Sequence, residues 1–117
     1  MIPYGLHEID EEDIDAVVEI LRRGPITQGR TVEEFGESLA DTTGAKFGIA
    51  VSSGTAALHL SVAALVLGPD DEVITTPMTF CATANAVLYQ GAEVRFVDID
   101  ENTLNINPEL IEQQITD

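Results

Sequence analysis

Basic residues are scarce in this chain: five Lys and Arg stand against 21 Asp and Glu, for a formal net charge of −16. A surface of that sign repels nucleic-acid phosphates and anionic lipid, so neither nucleic acid nor a membrane surface is an expected partner. The simplest origin of the acidity is a well-solvated face. Cys81 is the single cysteine. It can form no internal disulfide, which fits a reducing cytoplasm as the expected compartment. His7 and His59, the two histidines, lie far apart with no cysteine partner, so no metal site is expected. No uninterrupted apolar stretch is long enough to span a bilayer. Met1-Ile2-Pro3-Tyr4 lacks the basic and apolar regions of a signal peptide. No G-x-G-x-x-G follows any strand, and no Gly-Lys-Ser/Thr occurs. A Rossmann dehydrogenase and a P-loop NTPase are thereby disfavoured.

What is present suits a folded α/β chain. At 117 residues and 44% hydrophobic, the chain is long enough for one domain or part of one, and apolar enough for a core. Asp10 to Arg23 has helical spacing of Ile14, Val17, Val18 and Leu21, and Gly24-Pro25 ends it. Ile26 to Gly29 is a loop. Thr31 to Glu34 matches a capping box for a helix that Gly44 stops. A strand, Phe47 to Ser52, leads into a helix, Ala56 to Leu67. Then come a strand over Val73 to Thr76, a helix over Thr79 to Gln90, and a strand over Glu93 to Val97. Asp98 to Asn107 is a polar loop, and Pro108 starts a last helix that runs to about Ile115. Two helices followed by βαβαβα imply a mainly parallel sheet covered by helices. Ligands gather at the carboxyl ends of such strands. Ser52 to Ala56, Thr75 to Phe80 and Val97 to Asp100 would share that edge.

Each candidate at this edge has two readings. The turn Ser52-Ser53-Gly54-Thr55-Ala56 precedes a helix start, where unpaired N–H groups and the helix dipole can hold a phosphate. Ser, Gly and Thr also serve there as simple caps. Phe80 could stack on a flat ring or be an ordinary core residue. Asp98 and Asp100 could bind a metal or a hydroxyl, or form the turn. His59 reads as a packed or solvated helix residue. Lys46, the only lysine, reads as a surface charge at the opposite end of the strand.

Five blocks in order extend the argument: Gly24-Pro-Ile-Thr-Gln-Gly29, Ser52-Ser-Gly-Thr-Ala-Ala-Leu58, Asp71-Glu-Val-Ile-Thr-Thr-Pro77, Thr79-Phe-Cys-Ala-Thr-Ala-Asn85, and Gly91-Ala92 through Val97-Asp98-Ile-Asp100. Together they resemble the N-terminal part of a DegT/StrS-type sugar aminotransferase dependent on pyridoxal 5′-phosphate (PLP). The resemblance implies the large domain of a fold type I transferase, a three-layer α/β sandwich, here truncated. Residues 1–117 would form a single incomplete domain. Residues 1–45 would be a helical segment with a substrate loop, and 46–117 the first half of the PLP-binding domain. It implies that Gly54, Thr55 and Ala56 hold the cofactor phosphate and that Phe80 stacks on the pyridine ring. Tyr4, Pro25, Ile26 and Thr27 would line a sugar-nucleotide pocket. The implied chemistry moves an amino group from glutamate to a nucleotide-linked keto sugar, of the 4-amino-4,6-dideoxy type, in a homodimer.

The family also uses a lysine bonded to the cofactor and an aspartate against the pyridine nitrogen. Lys46 does not match that lysine, no residue here matches the aspartate, and so no catalytic residue is assigned. The first strand of this fold pairs with strands later in the sequence, so residues 47–52 are expected to lack neighbours. Another copy, a second chain or the rest of a longer product is expected to complete the piece. The rival reading is a non-catalytic acidic α/β binding or assembly module.

Overall fold

The computed structural model describes residues 5–116. They form two compact units, one reaching to Ala50 and the other starting at Val51.

The first unit holds two helices. In α1 (Glu11–Arg23), Asp10 and Asp13 cap each other reciprocally: the Asp13 amide donates to Asp10 Oδ1 at 3.0 Å and the Asp10 amide to Asp13 Oδ2 at 3.2 Å. Acids in the first turn and Arg22-Arg23 in the last complement the helix dipole. Helix α2 (Arg30–Thr43) begins one residue before Thr31, with Gly29 at its cap and no side-chain cap. The expected Thr31–Glu34 box does not form. Glu34 instead pairs with Arg30 one turn back, at 2.6 Å. Gly44 ends α2 in the left-handed conformation at φ 70°. Gly36 and Gly48 let α2 and the following segment approach closely: a Cβ on Gly36 would stand 2.6 Å from the Gly48 carbonyl oxygen.

In the second unit, α3 (Gly54–Ala63) starts at Ser53, whose Oγ accepts from the Ala56 amide at 3.1 Å. Strands β1 (Glu72–Thr75) and β2 (Glu93–Phe96) pair in parallel, with Glu72 opposite Glu93 and Thr75 opposite Phe96. Helix α4 (Ala82–Leu88) connects them and packs on α3 and on both strands. The core is built of small residues, Ala82, Ala86, Val87, Ala92 and Val97. Arg95 of β2 reaches across to Glu72 of β1 at 2.5 Å, and the Thr116 hydroxyl donates to the other Glu72 oxygen at 2.7 Å. These two bonds, Arg95's first, hold the Glu72 carboxyl below the usual carboxylate range. Helix α5 (Pro108–Ile111) continues as a 3₁₀ turn, Glu112–Gln114, in place of one longer helix.

Residues 47–52 form no strand among the described residues. Phe47 and Ile49 remain 74% and 78% exposed. The apolar run is right for a buried strand, but a strand forms only against a neighbour that takes its N–H and C=O groups. The sheet thus has β1 and β2 where three strands were expected.

Candidate cofactor site

The start of α3 leaves four amides without intrahelical acceptors. Ser53 occupies one of them, its Oγ taking the Ala56 amide, while the Ala57 amide makes the first bond of the helix itself, to the Ser53 carbonyl at 3.0 Å. The amides of Gly54 and Thr55 have no bonded acceptor among the described residues. A Cβ on Gly54 would meet nothing within 4 Å, so the space beside this residue is open.

Gly54 and Thr55 share an open recess of about 590 Å³ with Ala57, Leu58, Ser61, Phe80 and Ala82. The structure therefore brings together three of the residues singled out in sequence, Gly54, Thr55 and Phe80. Ala56 is not in the lining, and its amide is already bonded to Ser53. Phe80 is 73% exposed, so it is not a core residue of this unit. Ala57, Leu58 and Ser61 escaped the sequence reading. Their signal was spacing, since positions 54, 57, 58 and 61 fall on one face of a helix.

Another recess, about 470 Å³, is lined by Asp70, Asp71, Glu72, Ile74, Ile115 and Thr116. Its carboxylates repel an anion, so it does not suit a phosphate.

The remaining candidates sit elsewhere. Pro25, Ile26 and Thr27 lie exposed in the loop after α1, in the first unit. Tyr4 lies outside the described residues. Asp98 and Asp100 act as turn formers: Asp98 Oδ1 accepts from the Ile99 amide at 2.8 Å, and Asp100 Oδ1 from the amides of Thr103 at 2.9 Å and Asn102 at 3.0 Å. Those backbone bonds, Thr103's first, lower the Asp100 carboxyl below its ordinary range. The loop they shape closes on an antiparallel bridge between Ile99 and Ile106. His59 packs its ring edge-on to Tyr89, 5.1 Å between centroids. Lys46 is exposed, its Nζ 5.2 Å from the Phe47 ring centre.

The second unit thus sets an open helix start beside an exposed aromatic ring. A sequence profile of the DegT/DnrJ/EryC1/StrS aminotransferase family matches residues 7–117, and the chain belongs to that family. It is 47% identical over 115 residues to the spore coat polysaccharide biosynthesis protein SpsC of Bacillus subtilis, covering 98% of this chain and 30% of that protein. It is 45% identical over 116 residues to the UDP-4-amino-4-deoxy-L-arabinose–oxoglutarate aminotransferase of Shewanella sediminis, covering 99% and 30%. The PLP form of Spr1654, a proposed sugar aminotransferase from Streptococcus pneumoniae, superposes with a TM-score of 0.91 at 37% identity, covering 98% of this chain and 29% of that one. The fold is that of the matching part of fold type I PLP-dependent aminotransferases. The chain spans about 30% of the length of the curated relatives it matches. Among the described residues, no helix is long and apolar enough to cross a membrane.

Proposed function

We propose that this chain carries the phosphate cradle and the ring platform of a PLP-dependent sugar aminotransferase. The supporting observation is the recess that joins the unbonded Gly54 and Thr55 amides to the exposed Phe80 ring. The Gly54 and Thr55 amides and the Thr55 hydroxyl donate to the cofactor phosphate, and Ala56 forms the adjoining wall of the turn through its bond to Ser53. Two backbone donors at the positive end of a helix bind a dianion without any lysine or arginine. Phe80 offers its face to the pyridine ring, where stacking and water exclusion fix the ring's orientation. When bound, PLP supplies an electron sink that lets an amino group pass between glutamate and a keto sugar. Pro25, Ile26 and Thr27 are assigned to the nucleotide-sugar pocket on the resemblance of the Gly24 to Gly29 block to the family, and Tyr4 on the resemblance of the chain as a whole. The proposed substrate is a nucleotide-linked keto sugar, the reaction is cytoplasmic, and the working form is a homo-oligomer or a complex with a completing chain. Alone the chain is inactive on this reading, because no residue of it matches the covalent lysine.

One observation favours the rival, a non-catalytic acidic α/β module: the Ser53–Ala56 bond is an ordinary helix cap. Titration of the chain with pyridoxamine 5′-phosphate, followed by ³¹P NMR, separates the two. This ligand needs no lysine to bind. Saturable binding that Thr55→Val weakens by roughly 1–3 kcal/mol is the expected result, the range for leaving a charged partner short of one donor. No binding by the wild-type chain would leave the cap as the whole explanation.

A further inference from the structure

An exposed ring makes a platform only if its backbone is held, and Phe80 lies outside any regular element, in the stretch between β1 and α4. Its hold comes from one residue downstream. The Thr83 amide donates to the Phe80 carbonyl at 3.0 Å. The Thr83 hydroxyl meets the Thr79 hydroxyl, also at 3.0 Å. Thr83 thus grips the residue before the ring and the ring residue's own carbonyl. Thr76 stiffens the approach, its Oγ1 accepting from the Met78 amide at 3.3 Å. Thr83 sits in the first turn of α4, next to Ala82, which is buried and lines the same recess.

We infer that Thr83 is a positioning residue for the Phe80 ring, acting through the Thr79–Thr83 hydroxyl bond. The inference rests on the proposed cofactor site. Threonine suits the task because its β-branch leaves few χ1 states, so the hydroxyl is aimed before the bond forms. Thr83→Val keeps the shape and the amide bond and removes only the link to Thr79. The residue before the ring is then free to turn, and the ring's direction spreads. The phosphate cradle stands on α3 and has no bond to Thr83, so it is unaffected.

The test is ³¹P NMR titration of the whole chain with pyridoxamine 5′-phosphate and, separately, with inorganic phosphate. The ratio of the two dissociation constants reports what the ring gains from Phe80. Thr83→Val is expected to cut that ratio about 3- to 10-fold, the range of one neutral hydrogen bond, with phosphate affinity unchanged. Thr83→Ser, which restores the hydroxyl, should recover most of it. An unchanged ratio in Thr83→Val overturns the inference, as does a parallel loss of both affinities, which would mark a merely structural residue. Phe80→Ala separates the two levels of the argument. If it too leaves the ratio unchanged, or if the wild-type chain binds neither ligand, the cofactor reading itself fails and the inference falls with it.

Discussion

Val66 is a β-branched residue in the left-handed region, at φ 58°. It is 86% exposed, and its amide donates to the Ala63 carbonyl at 3.0 Å just past the end of α3. A glycine normally takes such a place, because a Cβ there costs about 1–2 kcal/mol. Val66→Gly should therefore stabilise the chain, by about 0.5–1 kcal/mol once glycine's extra chain entropy is set against the relieved strain. Urea unfolding measures it, and a lower midpoint than wild type would show that Val66 carries no strain. Leu104 has the same backbone, φ 59°, but its amide bonds to the Asp100 carbonyl at 2.8 Å inside the turn that Asp100 organises. Of the two left-handed glycines, Gly44 stands where the sequence marked a helix stop, and Gly91 between the helix and the strand read on either side of it. Nothing in the residue Val66 itself signals its conformation, which is imposed by how α3 ends.

Among the elements, α2 shows how a helix can depend on an absent side chain. Gly36, buried in α2, faces Gly48 across a gap that no methyl group fits. Gly36→Ala should cost about 1–3 kcal/mol, the usual price of overpacking, although alanine is by itself the better helix former. Hydrogen exchange of the α2 amides is the measurement, and amides as slow as in wild type would mean the segments part freely. Much of this level was legible. The periodicity of Ile14 to Leu21, the glycine and proline punctuation and the strands near 73–76 and 93–97 all led to elements that form. Two misreadings share a cause, which is competition for a hydrogen bond that residue type alone does not decide. Glu34 chose Arg30 over a cap on Thr31. Thr79 spends its hydroxyl on Thr83 while α4 starts only at Ala82. Residues 47–52 have the composition of a strand and, as their expected lack of neighbours implies, form none among the described residues. At the site, Gly54, Thr55 and Phe80 were visible as types, whereas the lining by Leu58 and Ser61 follows from helix geometry and was not singled out.

At the scale of the whole molecule, a net charge of −16 coexists with many exposed large apolar residues. Ile14, Val17, Leu21 and Phe35 are open in the first unit, and Leu58, Leu60 and Leu65 in the second. Like charge keeps such surfaces apart at low ionic strength, with a screening length of about 30 Å at 0.01 M salt and about 3 Å at 1 M. Sedimentation velocity should accordingly show self-association rising across that range, and rising again as the pH falls toward the isoelectric point near 4.1. A sedimentation coefficient that stays constant would mean that the apolar faces do not attract one another. The parallel pair β1–β2 also has a bearing on chain closure. Its register joins residues 93 − 72 = 21 positions apart. For a parallel pairing that is a short loop to close, and the entropy of closure grows only with the logarithm of length. Helix α4 shortens the path further, since a helix advances about 1.5 Å per residue. The strand–helix–strand segment thus closes its pairing over a short loop. The Phe80 loop lies inside it, so the pairing of β1 with β2 anchors both ends of the stretch that carries the ring.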